Sequence, residues 1–460
     1  MVGIEVPEAL KKSKPPVEMT MNTRSMNTAS LRLKRHHRRG IAVLGLLVLS
    51  VLPACDFEVT NPGPVADEFL DNPAANEAVV NGIAHELNAA VNWIALDVAV
   101  RTRELHPTSA NDFLGITISA HEGTFNLDHL NDPWELGHRA RWIGEDAIRR
   151  FQEAIPADVY GSTAAVARAN LWTGYANRLL GGYFCETVID GGSPQPGSVH
   201  LELAEAQFTE AIEVAEAAGV SDVATAARAA RASVRVDLGD WSGARADAAA
   251  VPTDFSFLLP FYDTSGSDFY NAFYYIGTAG EPYNTLSVWN TFYEGYYDET
   301  GDPRTLWDTV PDEPYGSGGL DPWGAVPWWP QGKHSSAGSP IEMSSGEEMR
   351  LIEAEAMLLD GDIDGAMAMI NSLRVRAGVD AWPAPATLAE AWQRLKTERG
   401  IELWLEGRRL ADQRRWEEND APGELSPYEL GLTNDGPGLL DAVLCLPIAT
   451  SERETNPNVS

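Results

Sequence analysis

Three glutamates near the C-terminus are the first residues whose spacing suggests chemistry. Glu398, Glu402 and Glu406 recur every four residues, so in a helix they would share one face. A glycosidase instead needs two carboxyl groups on opposite sides of the scissile bond, about 5 to 9.5 Å apart. Neighbours on one helical face cannot flank a sugar in that way. Arginines lie nearby, and Arg408 and Asp412 have the i,i+4 spacing of an ion pair. We therefore expect a structural ion-pair network that ties this helix to its neighbours.

A second acidic cluster has the spacing of a calcium loop. Asp360, Asp362 and Asp364 occupy the first, third and fifth positions of an EF-hand pattern, and Gly365 occupies the sixth. The twelfth position is Asn371 rather than the usual bidentate glutamate, so the strongest ligand is missing. The alternative is a Gly-Asp turn between two helices, with an aspartate capping the second helix. We favour the turn and keep calcium as the lesser alternative.

The sequence contains none of the motifs that commonly carry catalysis or bind cofactors. Gly-x-Ser-x-Gly, His-Glu-x-x-His, Walker and Rossmann patterns are missing, and the nine histidines are scattered. We therefore expect neither an enzyme nor a bound cofactor. Cys185 and Cys445 could pair outside the cytoplasm, but the sequence cannot show whether they are close together.

The best candidate for ligand binding is the segment 252–340, which holds half of the chain's aromatic residues among many Gly, Pro and Asp residues. Indole and phenol rings suit the apolar faces of sugars, while Asp, Asn and Arg bind hydroxyl groups. Rings in a loop can equally pack that loop onto the rest of the protein. The residues that we predict to line a site are Trp323, Trp328, Trp329, Tyr296 and Tyr315.

Hydrophobic periodicity indicates the elements that must position these residues. Helices are predicted over 67–93, 134–151, 163–180, 201–218, 222–238, 242–250, 346–359, 363–377 and 387–416. Several form pairs with Gly-Asp turns, as in tetratricopeptide hairpins, although no clean period of about 34 residues is present. Strand patterns are scarce. The sequence therefore predicts an all-α fold, in which tetratricopeptide-like helical hairpins form a scaffold that carries one large, irregular, aromatic-rich insertion.

The first 54 residues have the pattern of a targeting segment. Basic residues between Arg32 and Arg39 precede the apolar run 41–52, which fits a signal peptide but is too short to cross a bilayer. The run closes with Leu-Pro-Ala-Cys at 52–55, which resembles a lipobox in which Cys55 is lipidated and becomes the mature N-terminus. The alternative is an ordinary secretory signal followed by a chance cysteine.

The formal net charge of −33 restricts the possible partners. Nucleic acid is excluded as the main partner, because binding to a phosphate backbone requires a basic surface. The predicted leader is basic, so its removal would leave an even more acidic protein. Such a surface repels anionic lipid headgroups, so a lipid anchor would have to hold the protein at a membrane.

Four C-terminal motifs occur in an order that is specific to one known family. They are Glu347–Ala356 (EEMRLIEAEA), Ile370–Gly378 (INSLRVRAG), Glu398–Arg409 (ERGIELWLEGRR) and the closing segment Leu446–Pro457. Together with the lipobox, this set resembles the SusD/RagB family of nutrient-uptake lipoproteins. The N-terminal half agrees with the family only in its helical pattern.

The resemblance implies a SusD-like α-superhelix without catalytic activity, anchored through Cys55 on the outer surface of the outer membrane. It also implies a SusC-like TonB-dependent outer-membrane transporter as the partner, and a ligand that is usually a glycan and in some members an oligopeptide. The expected organisation is a leader at 1–54 and one SusD-like domain at 55–460. Within that domain we distinguish a helical part at 67–251, the insertion at 252–340 and the motif region at 341–460.

Two other functions remain open from the sequence. A helical scaffold that only gates or assembles the transporter would bury its aromatic residues and bind no ligand of its own. An all-α glycoside hydrolase would need two acids that converge beside the rings of the insertion. The acids available there are Asp298, Glu299, Asp302, Asp308, Asp312 and Asp321.

Overall fold

The structure is a computed structural model that describes residues 69–459 except 109–117, 125, 264–268, 280–283, 317–324, 434–438 and 440–442. The α-helices are α1 (Asn76–Arg101), α2 (Ile118–His121), α3 (Asn131–Ala154), α4 (Ala157–Tyr160), α5 (Ala164–Tyr183), α6 (Ser198–Ala218), α7 (Ser221–Asp237), α8 (Trp241–Ala249), α9 (Ala272–Tyr275), α10 (Phe292–Thr300), α11 (Gly346–Leu359), α12 (Ile363–Ala377), α13 (Leu388–Glu402), α14 (Arg409–Glu418) and α15 (Thr450–Thr455). Short strands pair as β1 (His106–Pro107) with β5 (Leu286–Ser287), β2 (Glu186–Thr187) with β3 (Gln195–Pro196), and β4 (Ser256–Leu259) with β6 (Ile341–Ser345). The predicted all-α class is confirmed.

The helices from α1 to α8 form a layer in which α5 lies against α1, α3 and α6. Glycines allow the closest of these contacts. A Cβ atom at Gly174 would lie 2.5 Å from the ring of Phe208, and one at Gly181 would lie 2.7 Å from the Leu201 side chain. The sequence predicts that this helix stops before Gly181, but it continues to Tyr183. Gly181 therefore permits close helix packing instead of ending the helix.

Gly-Asp turns join the paired helices, as the hairpin pattern predicts. Gly239 precedes α8 at φ 78°, and the Asp240 side chain accepts a hydrogen bond from the Gly243 N–H at 3.0 Å. The turn before α12 repeats this arrangement, with Gly361 at φ 79° and the Asp362 side chain capping the helix. A left-handed residue followed by a capping carboxylate ends one helix and starts the next within a few residues.

The helix predicted over 387–416 is in fact two helices, α13 and α14. The turn between them contains Leu405 at φ 60° and Gly407 at φ 70°, conformations that cannot continue a right-handed helix. Glu406 lies in this turn, so it does not share a helical face with Glu398 and Glu402. Its carboxylate instead pairs with Lys333 of the insertion, with a nitrogen–oxygen distance of 2.7 Å.

The expected ion-pair network around the glutamates is present and fixes the insertion to the C-terminal helices. Arg304 lies in a 3-10 turn of the insertion and contacts Glu398 at 2.8 Å, Glu402 at 2.6 Å and Asp302 at 2.7 Å. Arg374 of α12 contacts the second oxygen of Glu398 at 3.0 Å. The glutamates of α13 are therefore structural partners of arginine.

The predicted ion pair between Arg408 and Asp412 is wrong, because each of the two residues has other partners. Asp412 instead pairs with Arg399 at 2.7 Å and Arg415 at 2.9 Å, while Arg408 lies 3.7 Å from Glu348. Burial disfavours the carboxylate form, but the adjacent guanidinium groups outweigh it and lower the pKa of Asp412 to about 2.

The C-terminal segment returns to the N-terminal helices. Cys445 forms a disulfide with Cys185, which directly follows α5, and the N–H of Cys185 donates to the Leu446 carbonyl at 3.1 Å. Leu446 and Ile448 join a buried cluster with Trp134 of α3 and Leu180 of α5. Among the described residues, no helix has the length and apolar character required to cross a membrane.

Candidate functional site

Two segments of the insertion lie side by side and carry several of its aromatic residues. The first, 306–316, runs antiparallel to the second, 326–332, through bridges between Trp307 and Gln331 and between Tyr315 and Pro327. The N–H of Gly316 donates to the Val326 carbonyl at 3.1 Å. Within each extended stretch of these segments, successive side chains point in opposite directions.

This alternation separates the two adjacent tryptophans that the sequence proposes as site residues. Trp328 is only 2% exposed, and its indole N–H donates to the Gly277 carbonyl at 3.1 Å. Trp329 is partly exposed on the opposite face, where its ring stacks on Trp307 with 5.1 Å between ring centroids. Trp328 therefore packs the insertion onto the scaffold, whereas Trp329 remains accessible.

Tyr315 lies opposite Pro327, two residues before Trp329 in the chain. Its side chain is 54% exposed. Tyr297 of α10 adds an edge-on contact to Trp307, with centroids 6.2 Å apart, and the Trp307 indole N–H donates to the Glu294 carbonyl at 3.2 Å. We call Tyr297, Trp307, Tyr315 and Trp329 the aromatic platform.

The remaining two proposed residues have different positions. The Tyr296 hydroxyl donates to Asp302 at 2.7 Å and accepts a hydrogen bond from Arg374 at 3.1 Å. Burial, together with this bond to Asp302, raises the pKa of Tyr296 to about 12. Tyr296 therefore belongs to the ion-pair network that fixes the insertion. Trp323 lies outside the described residues.

Sequence reasoning missed Trp307 as a site residue, and α10 was not predicted. Trp307 is isolated in the sequence, whereas Trp328 and Trp329 form a conspicuous pair between prolines. The signal that could have identified it is the alternation of side chains in two segments that pair across the insertion. That pairing is long-range and leaves little trace in either segment alone.

The acids of the insertion that the structure describes lie in two kinds of environment. Asp302 is fully buried against Arg304 and Tyr296. Asp298, Glu299, Asp308 and Asp312 are exposed, and Asp321 lies outside the described residues. Burial opposes ionisation of Asp302, but its hydrogen bonds to Arg304 and Tyr296 keep the pKa of this carboxyl below its usual value.

The acidic segment that the sequence offers as a calcium site forms the turn between α11 and α12. Asp362 accepts a hydrogen bond from the Gly365 N–H at 2.9 Å, and Asp360 pairs with Arg245 at 2.6 Å across the hairpins. Asp364 is exposed in the first turn of α12. Within the described part of the chain, no three His, Cys, Asp or Glu side chains are placed to hold a metal ion together.

The C-terminal motifs coincide with a family profile. Residues 348–459 match the profile of the SusD family. This match covers the C-terminal quarter of the chain and supports the resemblance to the SusD/RagB family. The N-terminal part of the chain lies outside the matched range, and there the fold provides the comparison with other SusD-like proteins. No curated protein matches the chain.

Solved SusD-like structures share the fold at low sequence identity. The chain is similar to a SusD superfamily protein from Bacteroides thetaiotaomicron, with a TM-score of 0.62, 15% identity and coverage of 84% of this chain and 98% of that one. It is also similar to the surface glycan-binding protein A of Bacteroides uniformis, with a TM-score of 0.62, 14% identity and coverage of 85% of this chain and 99% of that one. It is similar as well to the surface glycan-binding protein A of Bacteroides fluxus, with a TM-score of 0.62, 16% identity and coverage of 85% of this chain and 98% of that one. At these identities the likeness establishes the SusD-like fold.

Proposed function

We propose that this SusD-like protein captures a glycan at the cell surface through its aromatic platform. The observation that carries the proposal is the stacked pair of partly exposed rings, Trp307 and Trp329, on segments of the insertion that also carry the exposed Tyr315. Flat rings on an accessible face provide apolar contact for sugar rings. Exposed acids such as Asp308 and Asp312 lie on the same segment and can accept hydrogen bonds from hydroxyl groups.

The protein binds its ligand without cleaving it in this proposal. Glu398 and Glu402 are paired with arginine, and Asp302 is buried in the same network. The named similarity to surface glycan-binding proteins supports a glycan rather than a peptide as the ligand.

Lipidation at Cys55 and delivery of the glycan to a SusC-like TonB-dependent transporter complete the proposal. Both come from the family resemblance and from the lipobox-like sequence, which lies outside the described residues. Metabolic labelling with a fatty-acid analogue tests the anchor, because Cys55→Ala should abolish the label. Co-purification of an outer-membrane TonB-dependent transporter with the tagged protein tests the partner.

Calorimetry against neutral oligosaccharides and oligopeptides tests the binding site. Trp329→Ala and Trp307→Ala should weaken glycan binding at least about tenfold, which corresponds to about 1.4 kcal/mol. Trp142→Ala is the matched control, because Trp142 is a 56% exposed tryptophan on α3 that lies outside the platform. Thermal melting checks that each variant is folded.

Each other outcome identifies an alternative. Equal glycan binding by Trp329→Ala and Trp142→Ala would show that the platform does not bind the glycan. Binding of peptides alone would change the ligand class, and release of reducing ends would indicate a hydrolase. A failure to bind every ligand would favour the scaffold.

A further inference from the structure

A cavity lies between α1, α5 and the start of the insertion. It has a volume of about 490 Å³ and shares none of its lining residues with the aromatic platform. This volume is within the range of about 300 to 1,000 Å³ that is typical of small-molecule sites. We call it the α1–α5 cleft. Neither the C-terminal motifs nor the aromatic platform accounts for it.

Aromatic rings form much of its wall. Trp172 of α5 packs on Phe257 with 5.3 Å between centroids and also lines the cleft. Phe269 contacts the ring of His85 on α1. Tyr262 is 54% exposed at the opening. Rings from three separate elements therefore surround one space, an arrangement that suits a ligand with flat apolar faces.

The cleft also contains a buried polar group without a partner. Asn88 is 2% exposed, and its Nδ2 donates to the Pro260 carbonyl at 2.6 Å. Its Oδ1 has no hydrogen-bond partner in the structure. A buried acceptor without a partner is unfavourable, so a hydroxyl donor that reaches this oxygen would be stabilised by the hydrogen bond that it forms there.

Arg168 also lines the cleft and supplies a donor, but little net charge. Its Nη2 pairs with Glu77 at 2.5 Å, while its Nε is buried and has no hydrogen-bond partner. Because Glu77 compensates the guanidinium, the cleft has no excess positive charge to attract an anionic ligand. Aromatic walls with one unsatisfied acceptor and one unsatisfied donor suit the apolar faces and the hydroxyl groups of a neutral sugar ring.

We infer that the α1–α5 cleft binds a neutral saccharide unit at a site separate from the aromatic platform. The three elements contribute different parts of the site. Helix α1 supplies the buried acceptor of Asn88, α5 supplies Trp172 and the Arg168 donor, and the insertion supplies Tyr262. The inference does not depend on the platform, so each site can be tested while the other is disabled.

The test measures binding of neutral disaccharides to the purified Trp329→Ala protein by calorimetry and ligand-observed NMR. The probes are maltose, cellobiose, lactose and xylobiose. We expect weak, saturable binding of at least one of them. Tyr262→Ala in the same background should weaken it at least tenfold. Trp142→Ala in the same background is the control, because Trp142 is similarly exposed and lies outside both the platform and the cleft.

Asn81→Trp is a second variant, which fills the cleft and leaves its lining aromatic side chains in place. Asn81 is exposed on α1 and lines the cleft, so an indole there should fill the space and block binding while the melting temperature is preserved. The inference is overturned if no probe binds the Trp329→Ala protein, or if Tyr262→Ala and Asn81→Trp both bind as tightly as their parent. Preference for uronic-acid sugars over neutral ones would overturn the ligand class.

Discussion

At the scale of single residues, Arg304 is the group on which the attachment of the insertion depends most. Its side chain is 14% exposed and contacts three carboxylates, of which Glu398 and Asp302 are fully buried. Arg304→Ala should lower the free energy of unfolding by about 3 to 5 kcal/mol, because it leaves buried charges without their partner. Urea denaturation followed by circular dichroism measures this loss.

The control for Arg304→Ala is an exposed ion pair of the same chemistry. Arg139 of α3 pairs with Glu86 at 2.6 Å, but its side chain is 53% exposed. Arg139→Ala should change the free energy of unfolding by no more than about 1 kcal/mol. Similar losses for the two variants would show that the network around Arg304 does not stabilise the fold through buried charge.

Glu342 makes stability depend on pH. Burial, and then the nearby Glu406, raise the pKa of Glu342 to about 8, although Ser256 and Lys333 act in the opposite direction. The folded state therefore favours the protonated carboxyl. Its contribution to stability is complete below the pKa of the unfolded chain, near 4.5, and is lost as the pH rises through about 8. The protein should melt at a lower temperature at pH 9 than at pH 5.

Glu342→Gln isolates this contribution. A neutral side chain at this position of β6 should reduce the difference in melting temperature between pH 5 and pH 9. Glu202→Gln, at an exposed position of α6, is the control and should leave the difference as it is in the parent protein. If Glu342→Gln keeps the full difference in melting temperature between pH 5 and pH 9, other groups cause the loss of stability at alkaline pH.

At the scale of elements, the helices were more predictable than their connections. The bounds predicted for α11 and α12 agree with the structure, because each helix is amphipathic and begins beside a capping side chain. The separation of α13 from α14 was not predicted. Glutamates at regular spacing continue through residue 406, and the reversal depends on Leu405. This residue has a left-handed backbone, is buried, and donates its N–H to the Glu104 carboxylate at 3.1 Å. Local sequence patterns carry no signal for that burial.

The candidate site was predicted as a segment rather than as a set of residues. The aromatic composition of 252–340 indicated where the platform would lie, but not which rings are accessible. Trp328 and Trp329 are chemically identical neighbours, and only the pairing of 326–332 with 306–316 places them on opposite faces. Trp307 was missed for the same reason.

The turn between α13 and α14 makes its own prediction. Gly407 has φ 70°, and a Cβ there would lie 3.3 Å from the Cβ of Ala95 on α1. Gly407→Ala should therefore cost about 1 to 2 kcal/mol for the left-handed backbone, together with a further cost of crowding α1. Gly361→Ala is the matched control, because Gly361 has φ 79° and open space around it. Equal losses in urea denaturation would mean that the contact with α1 is adaptable.

At the scale of the whole molecule, the C-terminal segment connects distant parts of the chain. The disulfide joins Cys185 to Cys445 across 260 residues, and Leu446 and Ile448 pack with Trp134 among the N-terminal helices. A cross-link over such a long loop restricts the unfolded chain, which typically stabilises a protein by about 2 to 4 kcal/mol. Reduction should therefore lower the free energy of unfolding by that amount, while the apolar cluster keeps the segment folded.

A serine double variant separates the bond from other effects of reductant. Cys185→Ser with Cys445→Ser should unfold at the same urea concentration as the reduced parent and should not respond to reductant, because Cys55 is then the remaining cysteine and has no cysteine to pair with. Circular dichroism at neutral pH should show native helix content in both, since the contacts of Leu446 and Ile448 do not require the bond. If the oxidised and reduced parents unfold at the same urea concentration, packing alone holds the C-terminal segment against the N-terminal helices.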